Sequence, residues 1–393
     1  MDIKKIVYFG DIGIPNSASA IHVYNRAKLL RNLGIEVHVI CMTPKNKEKI
    51  ENDEIVQYHY LPSIKGEGKI RGIRWNIDSI FPIETYPSTI KSIEELKPDA
   101  IILYEVNSVV LQGKLRKFCE KNSIKLIVET TEWMEIIKER GILGNLIVWQ
   151  KDIQKKYTDK KCKNVIAIST FLEEHYKLQK CNVVRIPPLF SKIISEKDVK
   201  RVKDVRNNAS VRLVFAGSLS NKDYLIELLK VLLIINKKSI EISFDVIGPS
   251  EKELKRSINE KELKKYGIYA HGRIAHEKVL KMVQQADFSV LFRQNKRYAK
   301  AGVSTKFCEA MSLGVPSICT QVNGTDRFVT NGKNGFLIKE NTEEAIKSIL
   351  LEIIKMKNEE ILEVKKNACR FAKENFSIDN YLEKINQFLK ECK

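Results

Sequence analysis

The chain contains 393 residues, of which 43% are apolar and 30% are charged, so it can form packed cores and is not a disordered chain. At about 100 to 200 residues per domain, this length predicts roughly two domains. The 68 Lys and Arg residues outnumber the 49 Asp and Glu residues, giving a formal charge of +19. That excess favours an anionic partner such as phosphate, nucleic acid or a membrane surface, without selecting one.

The amino-terminal segment predicts neither a signal peptide nor a membrane anchor. Its first apolar run, residues 6–9, is far shorter than a signal-peptide core, and no stretch reaches the roughly 18 consecutive apolar residues of a spanning helix. We therefore expect a soluble, cytoplasmic protein. The eight cysteines include no Cys-x-x-Cys pair, which predicts reduced thiols and neither a zinc site nor a disulfide framework.

The first half alternates short apolar runs with amphipathic stretches, a pattern typical of a parallel sheet covered by helices on both faces. The predicted strands are residues 6–9, 37–41, 100–103, 125–128 and 165–168. A long helix between the first two is opened by polar Asn16, Ser17 and Ser19 and stops at Gly34. These elements predict a doubly wound α/β domain over residues 1–188.

A composition change then predicts a linker over residues 189–210, because two prolines stop regular structure and a charged run follows them. A second doubly wound domain is predicted over residues 211–376. Its strands are residues 211–215, 242–247, 269–271, 288–291 and 317–319, and its helices are 225–236, 252–264, 276–285, 306–313 and 343–356. The tail, residues 377–393, predicts one more amphipathic helix.

Ligands of open parallel sheets bind at the carboxyl ends of the strands, where loops lead into helix amino termini. The first strand runs into a loop, residues 10–17, that contains Gly10 and Gly13. Such a loop could bring its backbone close to an anion, but it lacks the G-x-G-x-x-G spacing of a dinucleotide fingerprint. An ordinary tight turn is an equal alternative at this position.

The strongest local pattern follows the predicted strand 288–291. A basic loop with Arg293 and Arg297 leads through Gly302 to a helix whose first turn carries Ser304, Thr305 and Lys306. Backbone amides, hydroxyls and an ammonium group at a helix amino terminus suit a diphosphate, because the helix dipole and the point charge both favour anions.

Glu309 follows Thr305 by four residues and so lies on the same helix face, one turn deeper. A carboxylate at this place can accept hydrogen bonds from vicinal hydroxyls such as those of a ribose. The alternative interpretation is a capped helix with a solvated glutamate.

With this segment the sequence resembles the retaining glycosyltransferases of family 4, which have the two-domain GT-B fold. The motifs that carry the resemblance are Ile168-Ser169, Arg185-Ile186-Pro187-Pro188, Phe215-Ala216-Gly217-Ser218-Leu219, Asp245-Val246-Ile247-Gly248, His271-Gly272-Arg273-Ile274, Gln285-Ala286-Asp287 and Asn331-Gly332-Lys333-Asn334-Gly335-Phe336-Leu337. They cover most of the chain in the expected order. The resemblance implies two Rossmann-like domains facing a central cleft, an acceptor-side first domain joined by the tail helix 377–393, and a donor-binding second domain.

The resemblance also implies roles for individual residues. The implied donor-binding residues are Gly13, Gly217, Ser218, Arg273, Ile274, Gly302, Ser304, Thr305 and Glu309, and the implied catalytic candidates are Lys222, Lys306, Arg293, Arg297 and Tyr104. Glu309 would bind the ribose, and Lys222 and Lys306 would neutralise the leaving diphosphate. Main-chain groups of Arg273 and Ile274 would contact the base.

The sequence departs from the family pattern at two positions. Ala301 stands eight residues before Glu309, where relatives often have a first glutamate, and Ser218 stands where an arginine usually follows the glycine. Arg293 or Arg297 would replace the lost positive charge. The segment with Ala301 resembles a subgroup of surface-polysaccharide transferases, so we interpret the change as a variation in donor contacts.

In the first domain, Tyr104 occupies the position of a histidine that touches the sugar in many relatives. With an ordinary pKa of about 10 it is no base near neutral pH, but it can form hydrogen bonds. Further acceptor-side candidates near the ends of the third and fourth predicted strands are Glu105, Asn107, Glu129, Glu132 and Glu135. The alternative for the three glutamates after residue 125 is that they are solvated loop carboxylates.

Together these features predict transfer of a sugar, with retention, from a nucleotide diphosphate sugar, expected to be UDP-linked, to a saccharide or lipid-linked acceptor in cell-surface polysaccharide synthesis. No Asp-x-Asp pair stands at a strand end, so we expect no metal and no cofactor. The alternatives are a nucleotide-sugar epimerase of the same fold and a non-catalytic subunit that binds a nucleotide sugar. No nucleic-acid-binding module is recognisable. The remaining basic charge predicts peripheral contact with the anionic inner face of the cell membrane, or simply a basic soluble surface.

Overall fold

A computed structural model of the chain describes residues 3–12, 17–42, 51–62, 68–136, 141–202, 206, 209–219 and 224–393. The chain divides into two compact units. The first unit consists of Met1–Ser191, Ala301–Val303 and Ile378–Lys393, and the second of Lys192–Lys300 and Ser304–Ser377.

The strands are β1 Lys5–Gly10, β2 Glu36–Cys41, β3 Gln57–Tyr60, β4 Ala100–Tyr104, β5 Lys125–Thr130, β6 Asn164–Ala167, β7 Asn182–Arg185, β8 Val211–Ala216, β9 Ile242–Ile247, β10 Ile268–Gly272, β11 Phe288–Leu291, β12 Ser317–Thr320 and β13 Gly335–Ile338. The α-helices are α1 Ala18–Arg31, α2 Gly68–Ile80, α3 Thr85–Leu96, α4 Val109–Lys121, α5 Gly141–Ile153, α6 Thr170–Leu178, α7 Leu225–Ile235, α8 Glu251–Ile258, α9 His276–Gln284, α10 Arg297–Ala301, α11 Thr305–Ser312, α12 Glu343–Ile354, α13 Asn358–Phe376 and α14 Leu382–Lys390.

The first unit is built on a seven-stranded parallel sheet with the strand order β3-β2-β1-β4-β5-β6-β7. Both faces of the central strands are buried: Ile6 and Tyr8 of β1 belong to one hydrophobic core, and Val7 and Phe9 belong to the other. This explains why β1 is a continuous apolar run, since parallel strands are covered on both faces. Helix α14 packs into the first of these cores.

The second unit is built on a six-stranded parallel sheet with the order β10-β9-β8-β11-β12-β13. Its largest core joins β8 and β9 to α7, α12 and α13. The strand order reverses between β1 and β4 in the first unit and between β8 and β11 in the second. In doubly wound sheets the carboxyl ends at such a reversal are where ligands bind.

The predicted fold class, two doubly wound α/β domains, is confirmed. All ten predicted strands exist, but β3, β7 and β13 were not predicted. These three strands have only four residues each and lie at sheet edges, so they lack the long apolar run that marks a central strand. The single helix predicted over 252–264 is wrong, because α8 ends at Ile258. The next residue, Asn259, has a left-handed φ of 52°, and a separate 3-10 turn follows.

The segment predicted as a linker, residues 189–210, packs onto its neighbours where it is described. The Val199 side chain is buried, and the Ile194 N–H donates to the Ser312 carbonyl at 3.0 Å. Arg201 Nε donates to Asp287 Oδ1 at 2.9 Å. Residues 192–202 therefore form part of the second unit, because the charged run contains an apolar anchor and an ion-pair partner that composition alone did not reveal.

Glu129 on β5 is a buried carboxylate that ties β1 and α1 to the middle of the first sheet. It accepts hydrogen bonds from Tyr8 Oη at 3.1 Å and Arg26 Nε at 2.9 Å, and its Oε1 lies 2.8 Å from His22 Nε2. Burial favours a raised pKa, but Arg26 and His22 outweigh it and lower the pKa of Glu129 to about 2. The alternative that this residue is a solvated loop carboxylate is therefore wrong, since its side chain is almost wholly buried.

Within the described residues, no helix combines the length and the apolar composition needed to cross a membrane.

We predict that Glu129→Gln destabilises the first unit by about 3 to 5 kcal/mol, because it leaves the Arg26 guanidinium buried without its counterion. All three tryptophans, residues 75, 133 and 149, lie in the first unit, so urea unfolding followed by tryptophan fluorescence measures this loss. Glu120→Gln is the matched control, because it breaks an exposed Glu–Arg pair and costs at most about 1 kcal/mol.

The pH dependence gives a second readout of the same variant. Because the folded pKa of Glu129 is depressed, its stabilisation is present above the unfolded value of about 4.3 and is lost as pH falls towards about 2. The variant should therefore lose less stability than the native chain between those pH values. Equal acid sensitivity of the two proteins would contradict the assignment.

Candidate functional site

Three loops at the carboxyl edge of the second sheet are packed tightly through two glycines. The Gly217 N–H, after β8, donates to the Ile247 carbonyl at 2.8 Å, and the Gly248 N–H, after β9, donates to the Gly272 carbonyl at 2.8 Å. A Cβ at Gly248, whose φ is 115°, would overlap the Gly217 carbonyl. Only glycine permits this approach, so the backbones at the ends of β8, β9 and β10 lie side by side.

Helix α11 brings an ammonium group to this edge. Ser304 caps the helix, with its Oγ accepting from the Phe307 N–H at 3.4 Å. Lys306, in the first turn, has its Nζ beside Gly217, where an added Cβ would overlap it, and 5.4 Å from the centroid of the Phe215 ring. The structure thus brings Lys306 next to Gly217, from which it is 89 positions away in the sequence.

Glu309 lies one turn further along α11 and meets a histidine that sequence reasoning missed. Its Oε1 is 3.1 Å from Nε2 of His276, the first residue of α9. This hydrogen bond raises the pKa of His276 above its ordinary value. The signal that could have identified His276 is its place at the helix start directly after Arg273 and Ile274.

A second missed group holds the start of α11. The Ser304 N–H donates to Thr325 Oγ1 at 3.0 Å, and Thr325 is buried. Its neighbour Asp326 accepts from the Asn323 N–H at 3.1 Å and the Gly324 N–H at 2.6 Å, which closes the turn. Thr325 therefore positions the helix start without lying in the segment that carries the motif.

The other predicted donor-side residues are distributed around the same sheet. The Arg293 N–H donates to Thr320 Oγ1 at 3.1 Å, and its carbonyl accepts from Asn341 Nδ2 at 2.7 Å, which anchors the loop after β11. Arg297 opens α10. Ser218 and Arg273 are exposed, Ile274 and Thr305 are half-buried, and Gly302 groups with the first unit. Gly13 and Lys222 lie outside the described residues.

In the first unit, Tyr104 ends β4 and is buried, with its ring stacked on that of His22 at a centroid distance of 5.5 Å. Burial raises the pKa of Tyr104 above its ordinary value. Asn107 is half-buried, and its Oδ1 is a buried acceptor with no hydrogen-bond partner in the described part of the chain.

The Glu105 carboxylate is already engaged. It accepts from Thr131 Oγ1 at 2.7 Å and from Lys151 Nζ at 2.7 Å. Burial opposes ionisation, but Lys151 and Lys155 outweigh it and hold the pKa of Glu105 well below its usual range. Lys151 also contacts the more exposed Glu132 at 3.3 Å. Sequence reasoning missed Lys151, because a lysine in an apolar helix carries no motif.

Among the described residues, no group of three or more His, Cys, Asp or Glu side chains is arranged to hold a metal ion. The described site presents instead a helix amino terminus, an ammonium group, glycine-lined backbone and one carboxylate. This combination can bind a phosphorylated ligand that also carries vicinal hydroxyls.

Most of the second unit is similar to a known family of proteins. Residues 196–371 match the family model described as "Glycosyl transferases group 1". The "Uncharacterized glycosyltransferase MJ1069" of Methanocaldococcus jannaschii is 28% identical over 244 residues, which cover 59% of this chain and 58% of that protein. The match thus spans little more than half of the relative's length.

Solved structures are similar over nearly the whole chain. HepE of Anabaena, in a structure with UDP and glucose, is 14% identical and covers 98% of this chain and 99% of its own, with a TM-score of 0.66. Sucrose-phosphate synthase of Thermosynechococcus elongatus is 14% identical and covers 99% and 98%, with a TM-score of 0.71. At such identity these similarities show the fold, which matches GT-B glycosyltransferases.

The predicted glycosyltransferase resemblance is therefore confirmed for residues 196–371 and at the level of fold. Membership of family 4 and retention of configuration stay predictions.

We predict that His276 and Glu309 stabilise the fold as a pair and do so more strongly at low pH. In a double-mutant cycle with His276→Ala and Glu309→Gln, the coupling energy should be up to about 1 kcal/mol at pH 6. It should fall by pH 8, because a histidine whose pKa is raised gives its stabilisation below the unfolded pKa and loses it as pH rises through the folded pKa. A coupling energy that is the same at both pH values, measured by urea unfolding, would contradict the pairing.

Proposed function

We propose that this chain is a retaining glycosyltransferase of family 4 that uses a UDP-linked sugar as donor. The acceptor is a hydroxyl group of a saccharide or of a lipid-linked saccharide, and the role is cell-surface polysaccharide synthesis. The observation that carries the proposal is the placement of Lys306 beside Gly217 with Glu309 one turn deeper on the same helix. The family match over residues 196–371 and the structural similarity to HepE, solved with UDP and glucose, support the donor class.

The spacing along α11 fits a nucleoside diphosphate. Three residues separate Lys306 from Glu309, which is about 4.5 Å along a helix axis at about 1.5 Å per residue. A ribose and the phosphate attached to it are adjacent in the ligand, so Glu309 would accept from the ribose hydroxyls while Lys306 and the helix amino terminus contact the diphosphate. His276 would keep the Glu309 carboxylate in place by the hydrogen bond at 3.1 Å.

The leaving diphosphate is where electrostatic stabilisation matters most. As the bond between the anomeric carbon and the phosphate oxygen breaks, negative charge grows on the diphosphate. Lys306 would neutralise this charge together with Lys222 and with Arg293 or Arg297. The donor contacts of Gly13, Ser218, Arg273, Ile274, Gly302 and Thr305 are part of the same proposal.

Retention of the anomeric configuration would follow if the acceptor attacks the same face of the sugar from which the phosphate departs. The acceptor oxygen bonds to the anomeric carbon, the bond to the phosphate breaks, and the acceptor proton passes to a phosphate oxygen. The state of the first unit supports a route without a protein base: burial raises the pKa of Tyr104, and the Glu105 carboxylate is occupied by Thr131 and Lys151. In this proposal Tyr104, Glu105, Asn107 and Glu132 contribute contacts on the acceptor side.

We predict that UDP raises the thermal unfolding temperature of the protein more than GDP, dTDP or ADP does, because selective binding stabilises the folded state. Lys306→Gln should weaken UDP binding about tenfold or more, since a charge-assisted contact to the diphosphate is lost. Lys347→Gln, an exposed lysine on α12, is the matched control and should leave the UDP shift unchanged. If no nucleotide stabilises the chain, or if both variants behave alike, the donor site is assigned wrongly.

We predict that EDTA leaves glycosyl transfer nearly intact, because lysine and arginine side chains and a helix amino terminus would take the place of a divalent cation at the diphosphate. The measurement is donor consumption with and without the chelator. Activity that EDTA abolishes and manganese restores would exclude a metal-independent mechanism.

A further inference from the structure

We propose that a helical segment of the first unit docks the protein onto an anionic lipid surface. This docking segment consists of α5 and the π turn that continues it, Gln154–Thr158. The proposal goes beyond the transfer reaction and does not depend on it, because all residues that carry it lie outside the donor-side site.

The docking segment exposes apolar side chains that a helix of a globular domain usually buries. The sequence of α5 has no charged residue before Lys151. Trp149 is 52% exposed, Tyr157 is 56% exposed, and Ile136, shortly before the helix, is 60% exposed. Leu146 and Ile147 are only half-buried. The described part of the chain therefore does not cover this face.

These exposed apolar residues belong to a concentration of such residues in the first unit. Of the large apolar side chains that are exposed among the described residues, only Val202, Ile234 and Leu351 lie in the second unit. Those of the first unit are Ile77, Phe81, Ile83, Val110, Ile136, Trp149 and Tyr157, which lie on or next to α2, α4 and the docking segment, and Leu178, which lies apart from them on α6. Helix α4, which carries Val110, packs against both α2 and α5. Scattered exposed apolar residues are ordinary, but a concentration on neighbouring helices indicates an interaction surface.

Positive charge accompanies the apolar residues at the carboxyl end of the docking segment. Lys156, Lys160 and Lys161 are all exposed. Lys156 is paired with Asp152 at 2.6 Å, whereas no carboxylate of the described residues forms an ion pair with Lys160 or Lys161. Lysines next to a lipid surface attract anionic headgroups, and the rings of Trp and Tyr favour the boundary between headgroups and acyl chains.

The π turn separates inward from outward side chains at this point. Lys155 is buried and donates from Nζ to Thr130 Oγ1 at 2.8 Å, whereas the next two residues, Lys156 and Tyr157, are exposed. The turn thus anchors the segment to β5 while it presents a cation and an aromatic ring outward. π turns inside helices are frequent at functional sites.

The chemistry of the surface favours lipid over the other anionic partners. A nucleic acid would use Trp149 and Tyr157 as stacking platforms, but the neighbouring aliphatic side chains of Ile136, Leu146 and Ile147 offer nothing to a base or a phosphate. An acyl-chain boundary accepts aromatic and aliphatic side chains alike, and its anionic headgroups match the lysines.

The test measures binding of the full chain to sedimented vesicles of phosphatidylcholine alone and of phosphatidylcholine with one quarter phosphatidylglycerol. We expect binding only to the anionic vesicles and weaker binding at high salt. Trp149→Ser should reduce the partition coefficient about fivefold or more. The double variant Lys160→Gln with Lys161→Gln should reduce it about 25-fold, or about fivefold per lysine.

Matched controls separate a specific face from general charge and hydrophobicity. Leu178→Ser removes an apolar side chain that is 86% exposed on α6, and Lys237→Gln with Lys238→Gln removes two exposed lysines of the second unit. Both controls should bind as the native chain does. The proposal is overturned if the controls lose as much binding as the test variants, or if anionic vesicles bind no better than neutral ones.

Two further results would also overturn it: a dimer in sedimentation velocity that Trp149→Ser disperses, or single-stranded DNA that competes with the vesicles through the same residues. The UDP-induced thermal shift of each variant is measured in parallel. An unchanged shift shows that the variant is folded and keeps its donor site, so failure of the lipid proposal and failure of the proposed transferase function are distinguishable.

Discussion

The candidate site of the second unit depends on two positions where the chain carries no side chain. At Gly248 a Cβ would overlap the Gly217 carbonyl, and at Gly217 it would overlap the Lys306 ammonium group. The first contact holds the ends of β8 and β9 together, and the second leaves room for the first turn of α11 at the same sheet edge. A side chain at position 248 would force the ends of β8 and β9 apart, because it would meet backbone atoms, whereas a side chain at position 217 would displace the flexible end of Lys306.

Both units hold their central strands with a buried carboxylate. In the first unit this is Glu129, and in the second it is Asp245 on β9. Asp245 receives Arg206 and Arg212 at 2.9 Å each and lies 2.7 Å from His271 Nε2, which joins β8, β9 and β10. Burial opposes the ionisation of Asp245, but these partners lower its pKa to about 2. Breaking such a pair is costly because it leaves a charge buried, so each carboxylate helps to hold the strands that it contacts together.

The two units differ in how far the polar side chains of their predicted site residues are already paired or buried. In the second unit, Lys306 is exposed at the sheet edge, and the Glu309 carboxylate contacts His276. In the first unit, Glu105 is already bound by Thr131 and Lys151, and Tyr104 is buried against His22. The exposed ammonium group of Lys306 therefore lies in the second unit, whereas Glu105 and Lys151 of the first unit are already paired with each other. The first unit offers hydrogen-bonding groups and an exposed apolar helix, α5, which is followed by exposed lysines.

The sequence alone determined the two parallel sheets, because buried central strands need long apolar runs that can be seen without a structure. It also determined the helix that carries Ser304, Lys306 and Glu309, since capping and helical spacing are local properties. Only the tertiary structure decided three contacts. His276 is hydrogen-bonded to Glu309, the Ser304 N–H donates to Thr325, and Lys151 donates to Glu105. These contacts join residues 21 to 46 positions apart, and their geometry depends on how whole elements pack. The exposed face of α5 could not be predicted for the same reason, because the contacts of a side chain depend on its neighbours in space. The short edge strands were not predicted because they lack a long apolar run.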